Sequence, residues 1–234
     1  MKSLLKFPLL VAVATMMSCS FSACSDNDDP TPDTGTSETD AKFEAIAKQY
    51  LDHTVYVTYK NLADETEQLV KDLQALKSSK TDANVKATCE TFLEARAWWE
   101  KSEAFLYGAA TDFGIDPHID SWPLDLDGLQ TALKNTEQVE AMGGEDGDIY
   151  AGEKLGNSLL GFHGIEYILF EDGSPKSVSK ISDLHLTYAV AVAGDLRNRC
   201  WQLELSWRGE SAVNADRVAK VANELELPYT VNSG

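Results

Sequence analysis

Positive charge is scarce in this chain: 20 lysines and arginines stand against 38 aspartates and glutamates in 234 residues, a formal net charge of -18. Such a surface repels phosphate backbones, so nucleic-acid binding is excluded as a working reading. Cysteine is also scarce. Of four, two (Cys19 and Cys24) fall in the first 24 residues, which leaves Cys89 and Cys200 for the remainder. A thiolate-rich metal site is therefore ruled out. The remaining pair could close one disulfide across a loop of about 110 residues, or stay as buried free thiols in helices. Helix breakers are missing over a long span, because no glycine or proline interrupts residues 41–107. Long apolar runs are absent too, apart from Phe7 to Met17.

That run belongs to a leader. Residues 1–23 carry Lys2 and Lys6, no acid, and small residues before Cys24, the build of a secretory signal and too short for a retained membrane span. Ser22-Ala23-Cys24 resembles a bacterial lipobox with Cys24 as the lipidated residue, and Cys19 is the alternative. The SDNDDP that follows resembles the surface-export signal of Bacteroidetes lipoproteins. An outer-membrane lipoprotein is expected, displayed outside or facing the periplasm. Loss of the two leader lysines takes the net charge from -18 to -20. Residues 24–41 hold acids and prolines with no bulky apolar side chain, so they read as a tether.

From 42 to 234 the pattern is helical, and an all-α antiparallel helical bundle is expected. Phe43, Ile46, Tyr50 and Val57, then Leu62, Leu69, Leu73 and Leu76, recur at helical spacing and read as a buried stripe. A break near residues 78–81, with Thr81 or Asp82 as cap, separates a second long helix. Residues 108–124 read as a loop, 125–139 as a short amphipathic piece and 143–147 as a turn. Long helices follow at about 152–170 and 181–207.

Polar groups interrupt the expected core. Glu103 falls among Val85, Phe92, Trp99 and Leu106 on one helix side, with Arg96 as an available partner. His163 and Glu166 share a face in GFHGIEYILF, since positions three apart line up. Imidazole with carboxylate suits iron or zinc; a plain His–Glu hydrogen bond is the competing reading. Gly156, Gly161 and Gly164 each cost a helix about 1 kcal/mol relative to alanine, which calls for close approach of another backbone or a ligand. In the loop GIDPHIDSWP, Asp120 is the first choice for a site carboxylate ahead of Asp116 and His118. His53 and His185 read as structural.

Together YLDHTVYVTYKNLAD, ARAWWEKSEAFLYGAATDFGIDPHIDSWPLD, GFHGIEYILFEDG and LTYAVAVAGDLRNRCWQLELSW resemble the imelysin family of exported bacterial proteins. Its Gly-x-His-x-x-Glu hallmark is met by Gly161, His163 and Glu166. The resemblance implies two bundle-like halves with the motif lining a site between them, and Glu103, Asp120, His163 and Glu166 as metal ligands. Iron is the expected metal, with zinc as the second choice. Family members are normally longer, so this chain corresponds to a first half. Residues 211–227 then read as the first helix of a second half, and a dimer or partner chain could complete the fold. Three functions compete: a lipoprotein that binds iron for uptake, a zinc peptidase with the same ligands, and a non-catalytic scaffold or ligand-binding bundle using Trp98, Trp99, Trp122 and Trp201. No complete catalytic constellation is visible, so enzyme activity is left open.

Overall fold

The structure is a computed structural model and describes residues 37–225. The expected leader, the expected lipidation site Cys24 and almost all of the expected acidic tether lie outside the described residues. Packing divides the chain after Ala41, and the body described below runs from Lys42 to Leu225.

The expectation of an all-α bundle holds. Helix α1 (Glu38–Tyr50) passes through a π-helical turn, Leu51–Val55, into α2 (Tyr56–Ser78). Thr81 then caps α3 (Asp82–Ser102), its hydroxyl accepting the Asn84 N–H at 3.1 Å. The short turn makes α2 and α3 antiparallel neighbours, and α10 (Asp183–Arg208) packs along α2. Leu62, Leu69, Leu73 and Leu76 of α2 are fully buried, as are Val85 and Trp99 of α3. Cys89 and Cys200 are both buried and free, and burial pushes the Cys89 thiol up to about 12.

Several expectations fail in instructive ways. Phe43, Ile46, Tyr50 and Val57 are exposed, by 65%, 63%, 39% and 40%, instead of forming the start of the core. Helical periodicity records that a face needs cover; it does not say that this body covers it. His53, in the π turn, is exposed as well. The expected helix over 152–170 is broken into α8 (Gly147–Lys154), a 3-10 turn and α9 (Gly161–Leu169): Leu155, Gly156 and Leu160 are extended and Gly161 takes a positive φ of 63°. The 108–124 loop contains two helical turns, α4 (Ala109–Asp112) and α5 (Ile115–Ile119). The amphipathic piece divides at Asn135 into α6 (Leu126–Lys134) and α7 (Thr136–Met142). A hairpin follows α9: β1 (Phe170–Glu171) pairs antiparallel with β2 (Ser174–Pro175) across Asp172-Gly173.

Of residues 211–227, Ala215–Glu224 form α11, which docks on this same body, and 226–227 lie outside the described residues. Val221 is buried with Ala63, Trp201 and Leu205. Arg217 reaches Asp64 at 2.6 Å, Glu67 at 2.8 Å and the buried Glu204 at 2.7 Å. Lys220 reaches Asp148 at 2.9 Å.

Candidate metal centre

Three elements converge on Asp120. It caps the C-terminus of α5, and the Ile119 carbonyl just before it lies against Gly161. A Cβ on Gly161 would stand 2.1 Å from that oxygen, so glycine is what lets the α5 backbone meet the start of α9. The close approach inferred from the glycines is thus real at Gly161. At Gly164 a Cβ would meet the Leu159 carbonyl oxygen at 2.6 Å, an oxygen that accepts a hydrogen bond from the Tyr188 hydroxyl. Gly156 has nothing within 4 Å, and its small size serves no packing purpose.

Asp120 receives the Trp99 indole N–H on Oδ2 at 2.7 Å and pairs through Oδ1 with the Arg96 guanidinium. Arg96 also reaches Glu100 at 2.7 Å. From α9, His163 turns Nε2 towards Asp120 Oδ1 at 3.1 Å and Nδ1 towards Glu166 Oε2 at 3.1 Å. The His163 and Asp120 side chains are only 16% and 13% exposed, whereas Glu166 is 52% exposed. With Nδ1–H donated to Glu166, an imidazole so placed would leave the Nε2 lone pair on the Asp120 side.

The donor set can be tested against a metal ion. Two donors each about 2.1 Å from one ion lie about 3 Å apart in neighbouring octahedral positions, which is the spacing between His163 Nε2 and Asp120 Oδ1. Glu166 sits on the other ring nitrogen, from which a carboxylate would orient the imidazole. Arg96 would have to give up Asp120, and Glu100 is already within its reach. Glu103 departs from the helical-wheel expectation: it opens a 3-10 turn after α3 and is exposed. No hydrogen bond or ion pair joins it to Asp120, His163 or Glu166. Desolvation first, then the charges of Glu100, Asp116 and Asp120, hold its carboxyl above the usual range, with Arg96 opposing. Glu103 therefore adds to the negative field without closing a ligand shell. Among the described residues no group of three or more His, Cys, Asp or Glu side chains is arranged around one metal position.

Two features escape the sequence reading. A groove of about 410 Å³ opens beside His163, between α3, the Trp122 segment, α9 and the hairpin. Trp122 is 73% exposed, its ring centroid 4.8 Å from the imidazole of His163. By contrast Trp99 and Trp201 are buried, and Trp98 is half-buried beneath Lys101. The second feature is a larger cavity of about 490 Å³ elsewhere, where Asp195 holds His118 Nε2 at 2.7 Å. His118 thus belongs to a different cluster from Asp120, although the two are neighbours in sequence. His185 is structural as expected, forming a capping box with Ser182 at the start of α10.

Iron-regulated protein A of Synechococcus elongatus is 31% identical over 163 residues, which is 69% of this chain and 40% of that protein. A crystal structure assigned as an iron-regulated protein A precursor from Parabacteroides distasonis superposes with a TM-score of 0.64 at 25% identity, over 85% of this chain and 54% of that one. An imelysin peptidase from Bacteroides ovatus is 33% identical with a TM-score of 0.51, over 59% and 39%. The chain therefore spans about half, or less, of the length of these relatives. The model of the family described as Imelysin matches residues 55–228, which include the whole Asp120–His163–Glu166 arrangement, and the chain belongs to the imelysin family.

Proposed function

We propose that this chain is a cell-envelope lipoprotein that binds iron for uptake, with His163 Nε2 and Asp120 as its ligands and Glu166 as the group that orients His163. One observation carries the reading: both nitrogens of a single imidazole face carboxylates, and the Nε2–Asp120 spacing is that of two neighbouring donors on one ion. The names of two relatives, which call them iron-regulated, support iron over zinc. Anchoring through Cys24 to the outer membrane rests on the leader pattern.

The site acts by exchange. An incoming ion takes Nε2 and an Asp120 oxygen, any proton on Nε2 passes to solvent, and Arg96 shifts to Glu100. Trp99 continues to hold the second oxygen of Asp120, which keeps the carboxylate aimed at the ring. A hydrolytic zinc site needs three protein ligands and a separate base; the pair seen here favours capture over peptide cleavage. The exposed apolar face of Phe43, Ile46 and Tyr50 supports cover by further chain, as the longer relatives suggest, or by a partner.

The test is equilibrium dialysis of the purified protein against ferrous iron, zinc and manganese, beside His163→Ala and Asp120→Asn. About one ion per chain in the parent, lost in both variants, is expected. Equal retention in parent and variants would overturn the assignment.

A further inference from the structure

Two protein donors are few for a hexacoordinate ion. A bare ion held by His163 and Asp120 alone keeps about four water ligands, and such a site binds weakly. One of the two donors, His163, also lines the groove walled by Phe92, Leu93, Trp122, Leu124, Tyr167 and Phe170. Trp122 leaves most of a large apolar ring in water next to the metal-facing imidazole, an arrangement that stacking on a flat ligand would relieve. The groove's volume of about 410 Å³ is that of a site for a multi-ring organic ligand.

The charge of the rim narrows the class. Glu166, Glu171 and Asp172 border the groove. Lys180 pairs with Glu171, while Asp172 has no ion-pair partner among the described residues. An anionic complex would meet these carboxylates at close range, whereas a neutral or cationic one would not.

We propose that the site takes its metal as a chelate: a flat aromatic chelator, forming a neutral or cationic complex with two neighbouring positions open. The inference rests on the metal-binding reading of His163 and Asp120 and names the form of the cargo. The chelator lies in the groove against Trp122, and the ion's two open positions exchange their waters for His163 Nε2 and an Asp120 oxygen. No bond within the chelate breaks and no electron is transferred.

Calorimetric titration of the full chain with zinc alone, 2,2′:6′,2″-terpyridine alone, the 1:1 zinc–terpyridine complex and the zinc–nitrilotriacetate complex separates the possibilities. The 1:1 terpyridine complex is expected to bind at least tenfold more tightly than zinc or terpyridine alone, and the anionic nitrilotriacetate complex at least tenfold more weakly than the terpyridine complex. Trp122→Ala, a change at an exposed side chain, removes the gain of the terpyridine complex over zinc measured in the same variant; Trp122→Phe restores part of the gain. His163→Ala weakens zinc and its terpyridine complex alike. If zinc and its terpyridine complex bind equally through His163, the chelate inference falls and the metal reading stands. If terpyridine binds as well as its complex and His163→Ala changes nothing, the metal reading falls and takes the inference with it. Absence of binding by any form overturns both.

Discussion

Replacing Gly161 by alanine perturbs the contact that brings the two proposed ligands together. The new Cβ would lie 2.1 Å from the Ile119 oxygen, 2.4 Å from its carbon and 2.8 Å from its Cα, all backbone atoms that no rotamer change can move. Normal contact requires the α5 backbone to retreat by about 1 Å or more. The positive φ of Gly161 adds about 1 kcal/mol for a residue with a side chain, and overpacking adds about 1–3 kcal/mol. A total of about 2–4 kcal/mol, at a urea slope of about 2 kcal/mol per molar, lowers the unfolding midpoint by about 1–2 M. Because Asp120 follows Ile119 directly, the same retreat opens the 3.1 Å spacing to His163 and weakens metal binding. Gly156→Ala is the control: its φ of -73° suits alanine and nothing lies within 4 Å, so the midpoint stays or rises slightly. Urea unfolding and metal titration of both variants read the two effects. A Gly161→Ala protein with the parent's midpoint and affinity would refute the reasoning.

Arg96→Gln removes the guanidinium that competes for Asp120, and metal affinity in dialysis is expected to rise about fivefold, equivalent to about 1 kcal/mol for a partly exposed pair. Arg217→Ala leaves the buried Glu204 with Arg208 as its remaining cation, which costs about 3 kcal/mol in chemical unfolding and makes the end of α11 sensitive to limited proteolysis. The same network gives a pH dependence. Burial alone would raise Asp64, Glu67 and Asp148, but their contacts with Arg217, Lys60, Lys71, Lys220, Asn198 and Arg197 outweigh it and hold all three below the usual range. Carboxyls depressed in the folded state stabilise it above their unfolded values and lose that contribution as the pH falls through the folded ones. Docking of α11 should therefore weaken below about pH 4, read by hydrogen exchange of its amides, and a flat profile down to pH 2 would contradict this. Ile46→Ser changes the stability of this body by less than about 0.5 kcal/mol in urea unfolding, because the side chain is 63% exposed.

How much of this was legible in the sequence differs from element to element. The long helices were, since α2, α3 and α10 carry leucine and aromatic residues at helical spacing and Thr81 at a cap position. The break before α9 was not read, although part of its cause was in view: Gly161 and Gly164 do mark close approaches while Gly156 does not, and the positive φ of Gly161 at the start of α9 goes with the nearness of Ile119. The hairpin had its signal in Asp172-Gly173, whose φ values of 51° and 72° suit a tight turn, but strands of two residues are too short to alternate. At the candidate site, His163 and Glu166 followed from spacing, while Asp120 rested mainly on the family resemblance. Glu103 failed because a helical wheel assumes that the helix continues, and α3 ends at Ser102. The exposed stripe of α1 marks the general limit: a pattern specifies that a surface wants cover and does not say what covers it.

The most direct test is the two-bond proton–nitrogen correlation spectrum of the imidazoles during zinc titration, which is tractable with four histidines in the chain. The account predicts that Nε2 of His163 shifts to a metal-bound position while Nδ1 remains protonated on Glu166, with His53, His118 and His185 unmoved. Binding through Nδ1, or a titration that leaves His163 unchanged, would contradict it.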